Sequence, residues 1–226
     1  MGIIKLTLIL ILTTVSSLFA AVGCDLNDPD RDVKRLFPES TGYKTLYFSI
    51  DKKGGKNLLR QIEERLGDKF KGLYETKDVP YTMYRIYRGT EPLSYIHGIN
   101  QKGRYGGIQV FLALDLEGNI KAFYLQKLTS KFAKRFRDAK FGQQFVGLNL
   151  KDFYNYNVIS GTTTGPSRAE KIKNPAAEAE SDFRAALRAT KKNLILVDEF
   201  LLGNKYLKYF KSRNAMNNQE EVLKDD

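Results

Sequence analysis

The chain has 226 residues, a formal net charge of +11 at neutral pH, one cysteine and one histidine. Such sparse His and Cys usage excludes a histidine-rich or cysteine-ligated metal centre and an internal disulfide framework. The length suits a short leader followed by one domain large enough to bury its own core.

The leader comes first. Met1 to Lys5 carries one positive charge, Leu6 to Phe19 is largely apolar, and the small residues Ala20-Ala21-Val22-Gly23 precede Cys24. A peptidase cutting an extended backbone needs small side chains there, and a lipid-transferring enzyme needs a thiol. The order Ala21-Val22-Gly23-Cys24 resembles the lipobox of bacterial lipoproteins. That resemblance implies a cleaved signal peptide over 1–23, lipid on Cys24, and a chain anchored to a bacterial cell membrane on its extracytoplasmic, periplasmic side. An uncleaved membrane anchor is the competing reading. A span needs roughly 20 apolar residues, whereas Leu6 to Gly23 is slightly short and contains five hydroxyl side chains. Two lipid attachments, diacylglycerol and an acylated amino terminus, would hold firmly where a single chain holds marginally.

Only Lys5 is charged in the leader, so the mature chain keeps its basic excess. An exported protein meets anionic headgroups and ligands with that charge, not nucleic acid, and a solvated basic surface accounts for most of it. Residues 24–35 are polar, contain Asn27-Asp28-Pro29-Asp30, and read as a tether. The domain is expected over 36–210 and a polar tail over 211–226.

Within the domain, Thr45 to Ile50 predicts a strand. Leu58, Leu59, Ile62 and Leu66 predict a helix closed by Gly67. Strands follow over Tyr81 to Arg88, Leu93 to Ile99, Ile108 to Leu114 and Ile120 to Leu125, with a hairpin turn at Asp115 to Asn119. Ile108 to Leu114 is apolar on both faces and is expected to be central. Ser130 to Lys140 is basic and helical in pattern, and Phe141, Phe145 and Leu148 extend into a second short helix. Asn155 to Ser167 is a polar loop. Ala169 to Thr190 is helix-prone but interrupted by Asn174-Pro175, and Leu194 to Leu202 predicts further helix. The expected fold is α+β, an antiparallel sheet with helices packed on it.

Most catalytic templates are absent: there is no Walker loop and no Gly-x-Ser-x-Gly elbow. His97 sits in a strand and reads as a hydrogen-bonded sheet histidine. One stretch stands out. Ile159 to Ser167 packs five hydroxyls around Gly161 and Gly165. Those glycines permit a tight turn and close approach to a ligand. Helix-prone sequence follows at once, so the loop is expected at a helix amino terminus suited to phosphate, with Arg168, Lys171 and Lys173 just beyond. An ordinary Ser/Thr loop capping a helix explains the same residues equally well.

Three segments, in order, resemble the FMN-binding domain family found in flavoprotein subunits of sodium-translocating NADH:quinone reductase and the related ferredoxin-linked complex. They are Tyr105 to Lys121, similar to the family's Gly-Gly-Ile and Asp-x-x-Gly-x-Ile hairpin; Phe141 to Gly147, similar to Phe-x-x-Gln-Phe-x-Gly; and Ser160-Gly161-Thr162-Thr163, similar to Ser-Gly-Ala-Thr. The resemblance spans Tyr95 to Leu202, about half the chain. It implies FMN held covalently by Thr163 as a phosphoester, installed by a flavin transferase from FAD with magnesium. Ser160, Gly161 and Thr162 complete the motif, and Thr164 is a second acceptor candidate. The sequence departs from the family at Thr162, which replaces alanine, at Asn157, which replaces aspartate, and at Lys127 to Ser130, where a Glu-Thr-Pro-Gly stretch is missing. Tyr105, Phe123 and Tyr124 are weighed as ring neighbours against plain sheet packing.

Two functional readings follow. One is a membrane-anchored extracytoplasmic flavoprotein that relays electrons to an unidentified redox partner, an electron carrier and not necessarily a substrate-specific enzyme. The other is a lipoprotein with this fold serving as a non-redox binding or assembly module.

Overall fold

Alternation of apolar and polar residues at period two builds the sheet. In the computed structural model, which describes residues 24–212, five strands pair antiparallel in chain order. These are β1 (Gly42–Phe48), β2 (Tyr81–Arg88), β3 (Glu91–Lys102), β4 (Gly107–Leu114) and β5 (Ile120–Lys127). The α+β expectation holds. The predicted leader over 1–23 and most of the predicted tail lie outside the described residues. β4, expected to be central, is an interior strand, while β3 is the middle one. β3 runs longer than predicted because Asn100, Gln101 and Lys102 stay paired with Gln109, Ile108 and Gly107. The β4–β5 turn forms as predicted: the Asp115 carboxylate accepts from the Glu117 and Asn119 backbone N–H groups, and Gly118 takes φ +88°.

Val110, Leu112 and Leu114 of β4 face the larger core, whereas Phe111 and Ala113 face a smaller one on the other side. The larger core is covered by helices. α1 (Pro29–Leu36) lies elsewhere; α2 (Ile50–Lys53), α3 (Gly55–Leu66), α4 (Ala133–Phe136), α5 (Ala139–Gln143), α6 (Leu150–Phe153) and α7 (Glu180–Phe200) follow in order. α3 ends at Gly67, φ +77°, as its sequence predicted. α7 corrects the predicted pattern. Asn174-Pro175 does not interrupt a helix; Arg168–Lys171 and Ala177–Ala179 are single 3-10 turns, and one unbroken helix starts at Glu180. Proline lacks the N–H a helix interior needs, so α7 begins beyond it. α7 is enclosed on nearly all sides, and the polar residues it buries find partners described below.

The segment read as a tether is a docked strap. Asp28 caps α1 by accepting from Arg31 N at 3.1 Å, and Pro29 occupies its first turn. Cys24, Leu26, Val33 and Phe37 then cover Tyr84, Ile86, Ile96 and Phe111 on the smaller core face. Gln126 holds the strap from both sides, accepting from Asn27 N at 3.1 Å and donating to Asp25 O at 3.0 Å. The polar composition hid this, because most of α1's charged residues project away from a narrow apolar contact. Among the described residues no helix is long and apolar enough to cross a membrane.

The segment Phe141 to Gly147 is a packing device. Phe145 stacks on Phe123 with centroids 3.9 Å apart, Gly147 N donates to Ile120 O at 2.8 Å, and a Cβ on Gly142 would lie 2.8 Å from the Phe123 carbonyl oxygen. Backbone cannot yield as a flexible side chain can. Gly142→Ala is therefore expected to cost about 1–3 kcal/mol in urea unfolding. Gly42→Ala, where nothing lies within 4 Å, should stay within about 0.5 kcal/mol.

Candidate functional site

The hydroxyl loop is shaped by Asn157. Its backbone N–H donates to Thr162 O at 2.8 Å and its carbonyl accepts from Gly161 N at 2.9 Å. Its side-chain oxygen accepts from Ile159 N at 2.9 Å and Ser160 N at 3.1 Å. Aspartate could make the same turn, so asparagine preserves the shape and removes a charge. Tyr156 and Thr163 pair across the base in an isolated antiparallel bridge, and Gly161 takes φ +77° at the tip.

The five candidate residues are consecutive, and their side chains meet different surroundings. The Ser160 and Thr162 hydroxyls lie 2.7 Å apart, and both residues are exposed. The Thr164 N–H donates to Asn155 O at 2.9 Å. Thr163 is half-buried, and its Oγ1 donates to the Glu170 carboxylate at 3.1 Å. The helix expected directly after the loop is not there: the loop leads into the 3-10 turn Arg168–Lys171, capped by Ser167. Arg168 is committed to the framework, donating to Gly147 O at 3.2 Å and pairing with Asp152 at 3.5 Å. Lys171 and Lys173 remain exposed on the surface.

A different cation reaches the loop. Arg184, in the second turn of α7, lies so close to Gly161 that a Cβ there would sit 2.8 Å from its Nε. Val158, β3 and the start of α7 border a groove of about 440 Å³ lined by Gln101, Lys102, Glu180, Ser181, Arg184 and Arg188. The β3–β4 connection is tied to the start of α7, where Arg104 N donates to Asp182 at 2.9 Å. Sequence reading missed Asn157's structural part, Glu170 and Arg184. Glu170 and Arg184 stand seven and twenty-three positions beyond Thr163 and Gly161, in a segment whose long helix starts only at Glu180.

The proposed ring neighbours divide. Phe123 stacks on Phe145 inside the larger core, and Tyr124 stacks on Phe111 at 5.3 Å on the opposite face of the sheet. Packing accounts for both. Tyr105 is exposed, with the Arg104 guanidinium 5.2 Å from its ring.

The remaining titratable groups are structural. His97 Nδ1 lies 2.9 Å from Asn193 Oδ1, and Asn193 Nδ2 donates to His97 O at 2.9 Å. Burial lowers the His97 pKa to about 4, so the ring is neutral at physiological pH. Arg188 pairs with Asp68 and Glu75, and Lys192 donates to Glu75 at 2.6 Å. Burial lowers Lys192 to about 8 against the pull of Glu75. Cys24 is buried, and desolvation pushes its thiol well up, so it is an inert thiol where it sits. No group of three or more His, Cys, Asp or Glu side chains among the described residues could hold a metal ion.

No protein-family model matches the chain, and no curated protein matches it. Among solved structures it is similar to NqrC of Shewanella oneidensis, with 14% sequence identity, 84% of this chain and 90% of that chain covered, and a TM-score of 0.48.

Proposed function

We propose that the chain is a flavoprotein that carries FMN on the loop Ser160 to Thr164 and relays electrons outside the cytoplasm, held to the membrane by lipid on Cys24. The observation that carries the reading is the loop itself. Ser160, Thr162 and Thr164 are exposed on a backbone that Asn157 and Gly161 fix, and Gly161 lies against Arg184, which lines a groove whose volume falls in the range of small-molecule sites. The ordered resemblance of three sequence segments to the FMN-binding domain family supplies the identity of the ligand.

Bound FMN would supply one- and two-electron chemistry. The chain's own part is to hold, orient and partly shield it. Thr163 is the proposed attachment point: its Oγ1 would bond to the flavin-side phosphorus of FAD as AMP leaves. Glu170, 3.1 Å from that oxygen, is placed to take its proton. Glu170 is exposed and can turn away once a phosphate arrives. Lipid attachment at Cys24 requires its sulfur to leave the apolar seat formed with Leu26 and Val33. A non-redox binding module is favoured by one feature, the carboxylate that already occupies the Thr163 hydroxyl.

Intact mass after co-expression with a flavin transferase tests the reading. The expected result is an increment of one FMN residue in the parent chain and none in Thr163→Val. An increment that persists in Thr163→Val and vanishes in Thr164→Val moves the attachment by one residue. A colourless chain of unmodified mass, beside a transferase active on a control substrate, removes covalent flavin.

A further inference from the structure

Most cationic side chains along the middle of α7 already have partners. Arg188 is held by Asp68 and Glu75, Lys191 donates to Tyr156 O at 2.9 Å, and Lys192 is held by Glu75. Arg184 is the exception: half-buried, it has neither an ion pair nor a hydrogen bond among the described residues. Glu180, one turn earlier, lines the same groove but accepts from Asn174 Nδ2 at 2.9 Å and forms no ion pair with Arg184 among the described residues. A half-buried guanidinium without a bonded counter-charge is favoured by an acceptor that reaches it.

A second group beside it is also left over. Tyr156 is 3% exposed, yet its hydroxyl has no hydrogen-bond partner among the described residues. Buried hydroxyls almost always find one. Tyr156 stands at the base of the hydroxyl loop, bridged to Thr163 through the backbone, and its hydroxyl is close enough to Arg184 and Glu180 to feel both charges. Gly161, pressed against Arg184 Nε, brings the loop tip to the same place. An idle guanidinium and an idle buried hydroxyl thus converge under one turn of backbone.

We infer that Arg184 and Tyr156 form an oxyanion seat beneath the loop and take the phosphate of the ligand that the loop carries. The seat needs an anion with several acceptor oxygens. A guanidinium offers a fork of N–H donors to phosphate, and the tyrosine offers one O–H. Glycine at 161 lets the backbone lie against the guanidinium, where a side chain would collide with it. The identity of the phosphate as that of FMN rests on the flavin reading above; the seat does not.

The test follows the Arg184 Nε–Hε resonance, identified by its loss in Arg184→Gln, while the full chain is titrated with inorganic phosphate and, separately, with FMN. A saturable shift with both is expected. Arg184→Gln should weaken FMN binding roughly ten- to hundred-fold and leave riboflavin, which has no phosphate, unchanged. Tyr156→Phe, which keeps the ring and the backbone bridge, should weaken FMN several-fold. A resonance that does not move saturably with phosphate or FMN overturns the seat. So does an equal loss of FMN and riboflavin affinity in Arg184→Gln, because Arg184 would then be supporting the loop. Phosphate that shifts Arg184 in a chain that neither binds nor is loaded with FMN keeps the seat and removes the flavin. FMN that binds with Arg184 unmoved keeps the flavin and removes the seat.

Discussion

Arg65→Met is expected to lower the unfolding free energy by about 3–5 kcal/mol, the usual cost of breaking a buried ion pair from one side. Arg65 is 1% exposed at the end of α3. Its guanidinium pairs with both Asp198 and Glu199 of α7, and also donates to Tyr154 Oη at 2.8 Å and Asn204 Oδ1 at 3.1 Å. Removing it leaves two carboxylates in a space from which water is excluded. Asp198 retains the Tyr206 N–H at 3.2 Å, which is a poor substitute for a full charge. Total stabilities of about 5–15 kcal/mol are usual, so the variant should be close to unfolding at ambient temperature. The penalty comes from unpaired charge and not from lost contacts. Accordingly, Arg65→Met combined with Asp198→Asn and Glu199→Gln should recover much of it in denaturant titrations. A single variant within about 1 kcal/mol of the parent would show that water or rearrangement reaches the carboxylates.

Acid should destabilise the chain well before its carboxylates titrate, and His97 is the reason. Its pKa is about 4 in the folded chain and about 6.5 when unfolded. Between those values the unfolded chain binds the extra proton, so stability falls as pH falls. The contribution is fully present above about pH 6.5 and is lost by about pH 4, a change of roughly 3 kcal/mol. The physical cause is burial: the ring is enclosed between β3 and α7, and Nε2 has no hydrogen-bond partner to receive a proton's charge. Asp68, held below its ordinary value by Lys71 and Arg188, and Glu75, held below its own by Lys192 and Arg188, both despite burial, lose their contribution only at lower pH. Denaturant midpoints between pH 7 and 4, compared with His97→Gln, separate the two effects. The variant will be less stable throughout, but its pH slope over this window should be nearly flat. A parental slope that survives the substitution would place the titrating group elsewhere.

The sheet was legible because its signals are local. Tyr81 to Arg88 and the Asp115 to Asn119 turn carry period two and a glycine suited to positive φ, and both formed where they were expected. α7 was not legible as one element. Arg188, Lys192, Asn193, Asp198 and Glu199 break the apolar pattern, and their partners Asp68, Glu75, His97 and Arg65 lie far away in sequence. A buried ion network looks like a solvated helix face until its other half is in place. The strap over 24–36 was hidden for a related reason, since Val33 contributes to the core from an otherwise charged stretch. At the loop, the hydroxyl-rich composition and its glycine turn were visible. Arg184 and Tyr156 were not visible, because what marks them is a missing partner.

The strap has a further consequence. Cys24 belongs to the core layer on one face of the sheet, while Tyr156, Val158 and α7 belong to the layer on the other. The sheet therefore stands as a partition between the two ends of the chain's proposed chemistry. If lipid holds the Cys24 side against a bilayer, the loop is turned toward water. A redox partner would then meet it from the aqueous phase, and donors embedded in the bilayer would have to extend past the rim of the sheet.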